Sequence, residues 1–127
     1  MRTQGLPLPS SRSPYVLLQT AVSYKPGQVI NVSIQRLNSE SSFKGFMVQA
    51  IEKSSSKYIG TFLDADGLRL VDECSAVLQS DNKPKTRIQL AWVAPLNQRG
   101  DVIFRGTIVE HRTQYYDNLI SQPEPQK

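Results

Sequence analysis

Apolar residues recur at every second position through much of this chain. Ile30, Val32 and Ile34 alternate with Asn31 and Ser33, and Ile88, Leu90 and Trp92 alternate with Arg87, Gln89 and Ala91. Val102, Phe104 and Ile108 share one parity, with Arg105 and Thr107 on the other. A period of two sends successive side chains to opposite faces of a strand, so each run predicts a half-buried strand. Phe46, Val48 and Ala50 form one face and Met47 and Ile51 the opposite one. That strand is read as buried on both sides. Turn-forming residues separate the runs: Pro26-Gly27, Asn38 to Ser42, Ser54 to Ser56, Asp66-Gly67, Asn82 to Pro84 and Pro95 to Gly100. Short strands at this spacing predict an all-β fold, an antiparallel β-sandwich. The stretch from Leu68 to Ser80 is read as a short helix or an irregular crossing.

One register follows from the pattern. Folding Lys85–Val93 against Asp101–Arg112 about Asn97 sets Trp92 opposite Val102, Leu90 opposite Phe104 and Ile88 opposite Gly106. The other face of that hairpin then gathers Lys85, Arg87 and Gln89 beside Arg105 and Thr107, with Lys83 and His111 near its far end. Lys83, Lys85, Arg87 and Arg105 are thus expected to form a cationic stripe suited to a polyanion. Its alternative role is to keep an exposed sheet soluble and discourage edge pairing. Phe43, Phe46 and Trp92 are read as core rather than as the lining of a groove, and Gly45 as a point of close backbone approach.

Composition narrows the chemistry. The chain has 127 residues, a one-domain length. Met1 to Pro14, with three prolines and no apolar leader-type run, is expected to be a flexible arm (1–14). Residues 15–116 are the domain, and 117–127, with Pro123 and Pro125, are expected to be a flexible tail. No apolar run approaches the roughly 20 residues of a spanning helix. The single His and single Cys cannot make a bis-His haem site or a Cys/His zinc site. No cofactor is expected. A hydrolase would have to work through His111, which is read instead as a solvated strand residue. Asp64-x-Asp66-Gly67 has the start of a calcium loop without the remaining ligand spacing. The net charge of +4 and pI of 9.4 favour an acidic partner. Nucleic acid is disfavoured, because the aromatics fall on core parity rather than among the basic residues. Asn31-Val32-Ser33 is an N-glycosylation sequon on the outward parity of its strand. Cys74 has no partner within the chain.

Phe43-Lys44-Gly45-Phe46-Met47-Val48-Gln49-Ala50 resembles the Phe-Lys-Gly-Phe signature of the reeler (reelin-type) domain. Gly60-Thr61-Phe62, Cys74-Ser75-Ala76-Val77, Trp92-Val93-Ala94-Pro95, Val102-Ile103-Phe104 and Thr107-Ile108-Val109 follow in the family's order, and Tyr24-Lys25-Pro26-Gly27 resembles its lead-in to the second strand. The resemblance covers about Tyr15 to Tyr116. It implies an immunoglobulin-like β-sandwich and an extracellular, non-enzymatic binding or adhesion module. Its partners would be a sulfated glycan, a matrix protein or an anionic microbial surface. The alternative is the detached front domain of a ferric-chelate reductase-like membrane protein, without redox activity of its own. Two departures stand out. Family members usually pair the cysteine resembling Cys74 with one ahead of the first strand, where this sequence has none, and Leu78-Gln79 stands where the family often has Thr-His.

Overall fold

The computed structural model describes residues 7–8, 13–81, 83–111 and 114–124. Among them, twelve strands lie in two sheets. In chain order these are β1 (Pro7–Leu8), β2 (Tyr15–Gln19), β3 (Ser23–Tyr24), β4 (Val29–Arg36), β5 (Gly45–Glu52) and β6 (Thr61–Phe62). Then come β7 (Leu68–Val71), β8 (Ala76–Gln79), β9 (Arg87–Val93), β10 (Gly100–His111), β11 (Gln114–Ile120) and β12 (Gln122–Pro123). The first sheet runs β1-β11-β10-β5-β8-β7, with β3 also paired to β10. The second runs β12-β2-β4-β9-β6. The ladders are antiparallel except for two short parallel additions, β1 on β11 and β12 on β2.

The predicted inward positions are the core. Ile30, Val32, Ile34, Leu90 and Trp92 from the second sheet meet Phe46, Val48, Ala50, Val102, Phe104 and Ile108 from the first. Rings meet edge to face at both ends, Trp92 with Phe104 and Tyr24, and Tyr15 with Phe43 and Tyr116. The strand expected to be buried on both sides is β5: its outward Gln49 and Ile51 are each only 8% exposed. Leu68 to Ser80 resolves into β7, a single 3-10 turn at Asp72–Cys74, and β8. Gln19 and Ser121 are the buried polar link between the sheets. Gln19 Nε2 donates to the carbonyls of Ala21 (2.8 Å) and Val102 (2.9 Å), and Ser121 Oγ donates to Gln19 Oε1 while accepting from Phe104 N. Both amide hydrogens and the hydroxyl are used, which is what burial of such groups requires.

Two expectations are corrected. The β9–β10 hairpin does not form. Ile30, Val32 and Ile34 of β4 lie beside Trp92, Leu90 and Ile88, while Val102–Val109 of β10 pair with β5. Trp92 and Phe104 face each other across the sandwich, ring centroids 5.7 Å apart. Strict alternation fixes which face is buried, and a strand in the opposite sheet satisfies it as well as a neighbour does. The connection is held to the β3–β4 turn by Gly27 N to Pro95 O and Ala94 N to Gln28 O. That carries the chain from one sheet to the other. The second correction concerns the ends. Strand structure continues past Tyr116 through Pro123, with Leu119 and Ser121 buried, and Pro7–Leu8 of the expected arm is a strand on β11. The remaining residues of the arm up to 12, and residues 125–127 of the tail, lie outside the described residues.

Candidate binding surfaces

The corrected topology divides the expected cationic stripe. Arg87 lies on the outer face of the second sheet, opposite Gln35. Arg105 lies on the outer face of the first, opposite Gln49, whose Oε1 accepts from Arg105 Nη2 at 3.2 Å. Arg105 and Arg87 therefore point away from opposite sides of the sandwich. Lys85 has a different task. Its backbone bridges Phe43, and its Nζ donates to Asp81 Oδ1 (2.9 Å), the Lys83 carbonyl (2.8 Å) and the Lys44 carbonyl (3.2 Å). The ammonium beside Asp81, and then the Lys83 backbone N–H, hold that carboxyl below the usual aspartate range.

The same bridge adds Lys44, which the stripe did not include, to the end of the stripe formed by Lys83, Lys85 and Arg87. Lys44, carried on the Phe43 backbone, comes beside Lys85 and Lys83, and Arg87 follows two residues later at the start of β9. Lys44, Lys83 and Arg87 are exposed. Lys44 is absent from the period-two pattern because a backbone pairing between distant segments places it. Phe43, Phe46 and Trp92 are fully buried and line no groove.

The other candidates fall elsewhere. Asn31 is exposed on the outer face of the second sheet, opposite Ala91, and its N–H donates to Thr20 Oγ1. Asp64, Asp66, Asp72 and Glu73 are all exposed, and among the described residues no three His, Cys, Asp or Glu are grouped to hold a metal ion. The backbone of His111 lies opposite Gln114 at the end of β10. Cys74 is half-buried in the turn between β7 and β8, its Sγ 3.8 Å from the Val71 carbonyl. Pro7–Leu8 is on the opposite edge of that sheet, four strand spacings from β8, or roughly 19 Å at ~4.8 Å per step. A disulfide needs Cα atoms within about 7 Å. A surface groove of about 300 Å³ separates Tyr15–Leu17 from Asn118–Ile120. Among the described residues no helix is long and apolar enough to cross a membrane.

A family model described as the Reeler domain matches residues 2–126. The putative ferric-chelate reductase 1 of Danio rerio is 35% identical over 118 residues, 87% of this chain and 20% of that protein. Spondin-1 of Homo sapiens is 31% identical over 103 residues, 75% of this chain and 13% of that protein. The chain thus spans a fifth or less of these relatives' length. The crystal structure of the human F-spondin reeler domain (fragment 1) superposes with a TM-score of 0.72 at 28% identity, covering 98% of this chain and 96% of that one.

Proposed function

This chain belongs to the Reeler domain family, and on that premise we propose that it is a non-enzymatic, extracellular-type binding module. Its cationic end receives an anionic glycan, a matrix protein or an anionic microbial surface. The observation that carries this reading is that Lys85 Nζ, paired with Asp81, ties the Lys44 and Lys83 carbonyls together two residues from Arg87, with Lys44, Lys83 and Arg87 all exposed. Lys85 fixes the loop, and the three exposed cations supply the field. A polyanion binds such a surface through charge, without needing a deep pocket. On this reading a glycan at Asn31 would stand on the outer face of the second sheet. To test the site, a sulfated heparin oligosaccharide is titrated into isotopically labelled protein. Amide shifts centred on residues 43–45 and 83–87 support it. Shifts confined to Arg105 and its neighbours reject it.

A second reading has one observation in its favour. The identity to the zebrafish ferric-chelate reductase 1 is 35%, against 31% for human spondin-1. The chain would then be the front domain of a membrane protein, with the same surface serving that parent. A transcript joining this sequence to membrane-spanning segments would decide for it.

A further inference from the structure

The sandwich protects two of its edges with a short parallel strand and a third by keeping it short. On β11, β1 adds a parallel strand, and on β2, β12 does the same. Ahead of β12's reach, Ser13 Oγ donates to the Tyr15 carbonyl and accepts from the Tyr15 N–H. The edge strand β6 is only two residues long. Among the described residues, the remaining edge, β7, has none of these protections.

The hydrogen-bond phase of β7 follows from its neighbours. In the β5–β8 ladder Val48 lies opposite Val77, and the Ala50 N to Ser75 O bond puts that pair among the bonded ones. Val77 therefore gives its backbone groups to Val48. In the β7–β8 ladder Leu70 lies opposite Val77, and the Ser80 N to Gly67 O bond makes that pair a non-bonded one. The N–H and C=O of Leu70 thus point away from the sheet, with the Leu68 carbonyl in the same row. The Leu68 N–H is already given to Ala65 O. The side chains of Leu68 and Leu70 pack against the core, Arg69 is exposed, and no proline interrupts the strand. This is an open template for strand addition.

Charge selects the occupant. Exposed Asp64 and Asp66 precede the strand and exposed Asp72 and Glu73 follow it, so this edge is acidic on a chain whose net charge is +4. A second copy pairing antiparallel about Leu70 would bring the acidic flank before one strand toward the acidic flank after the other. Like charges brought together in this way oppose pairing. We propose that the β7 edge receives an extended strand of a partner protein flanked by lysine or arginine, added to the first sheet through Leu68 and Leu70. The start of this strand adjoins the cationic end, because Ser80 N donates to the Gly67 carbonyl beside the Asp81–Lys85 clamp, and the readouts keep the two apart: the Leu70 amide reports this edge, and residues 43–45 and 83–87 report the other.

The probe is a synthetic peptide of alternating valine and threonine with paired lysines at both ends, and the control carries glutamates there instead. The lysine peptide should shift the Leu70 amide and slow its hydrogen exchange, and the glutamate peptide should do neither. Asp64→Lys/Glu73→Lys, at two exposed positions, should weaken binding by about tenfold. Leu70→Pro, which deletes the outward donor, should abolish it; circular dichroism confirms that each variant is folded. Unchanged exchange at Leu70, equal binding of both peptides, or full affinity in the folded Asp64→Lys/Glu73→Lys variant would overturn the proposal. So would protection of Leu70 by concentration-dependent self-association without peptide.

Discussion

Gly60 lies against the indole of Trp92: a Cβ at that position would stand 2.5 Å from ring atoms, and the residue has φ +68°. One residue earlier, the Ile59 carbonyl accepts from Trp92 Nε1 at 3.0 Å. Gly60→Ala therefore meets both a left-handed backbone and a rigid ring, and should cost about 2 kcal/mol or more in urea denaturation. Trp92→Ala should cost about 3–5 kcal/mol. Because the two residues touch, the double variant should fall short of the sum. Additive losses would mean that the contact does not constrain the loop.

The buried link between Gln19 and Ser121 predicts a second set of losses. Gln19→Met keeps the volume and leaves the Ala21 and Val102 carbonyls without their donor. It should cost about 1–3 kcal/mol by equilibrium unfolding. A neutral Gln19→Met would show that water replaces the amide.

Stability at alkaline pH should depend on Tyr15. Its single hydroxyl hydrogen lies within reach of two acceptors, Glu110 Oε2 (2.6 Å) and the Ser42 carbonyl (2.7 Å). Burial first, and then the Glu110 carboxylate, raise its pKa well above the ordinary tyrosine value. A raised folded-state pKa favours the protonated native form. Its contribution is whole below the unfolded value of about 10 and is lost as pH rises toward the folded one. The melting temperature should fall from about pH 10 upward, and less steeply in Tyr15→Phe. Parallel curves for the two proteins would contradict this.

The faces of the sandwich were legible in the sequence, and the partners were not. Alternation placed Ile30, Leu90, Trp92 and Phe104 in the core, because a strand covered on one face repeats every two residues. It could not say whether Trp92 neighbours Val102 or faces Phe104, since both arrangements bury the same side chains. The backbone bonds from Gly27 N to Pro95 O and from Ala94 N to Gln28 O decide that, and they leave no trace in the side-chain pattern. Lys44 was hidden for the same reason. Gly45 was legible as a close approach, but not what approaches it: the Gln79 amide, whose Oε1 accepts from Phe46 N at 2.8 Å. In the tail, two prolines concealed the buried Leu119 and Ser121.

The pairing of Cys74 with a cysteine ahead of the first strand, as the family resemblance implies, can be checked on the arm itself. Leu8→Cys sits across the sheet from Cys74, beyond disulfide reach. Oxidation followed by non-reducing peptide mapping should find both thiols free in the monomer. An intramolecular crosslink between them would contradict the edge assignment of β1.

The cationic end is tested most directly by salt elution from a heparin column. Wild type is compared with Lys44→Glu/Lys83→Glu, which changes two exposed side chains, and with Arg105→Glu, which changes a half-buried one bonded to Gln49; circular dichroism confirms that both variants are folded. Exposed charges are screened beyond roughly 8 Å at physiological ionic strength, so binding through them must weaken with salt. The account predicts that Lys44→Glu/Lys83→Glu elutes well before wild type, and that Arg105→Glu, on the opposite face, elutes close to it. Equal early elution of all three proteins, or a loss confined to Arg105→Glu, would contradict it.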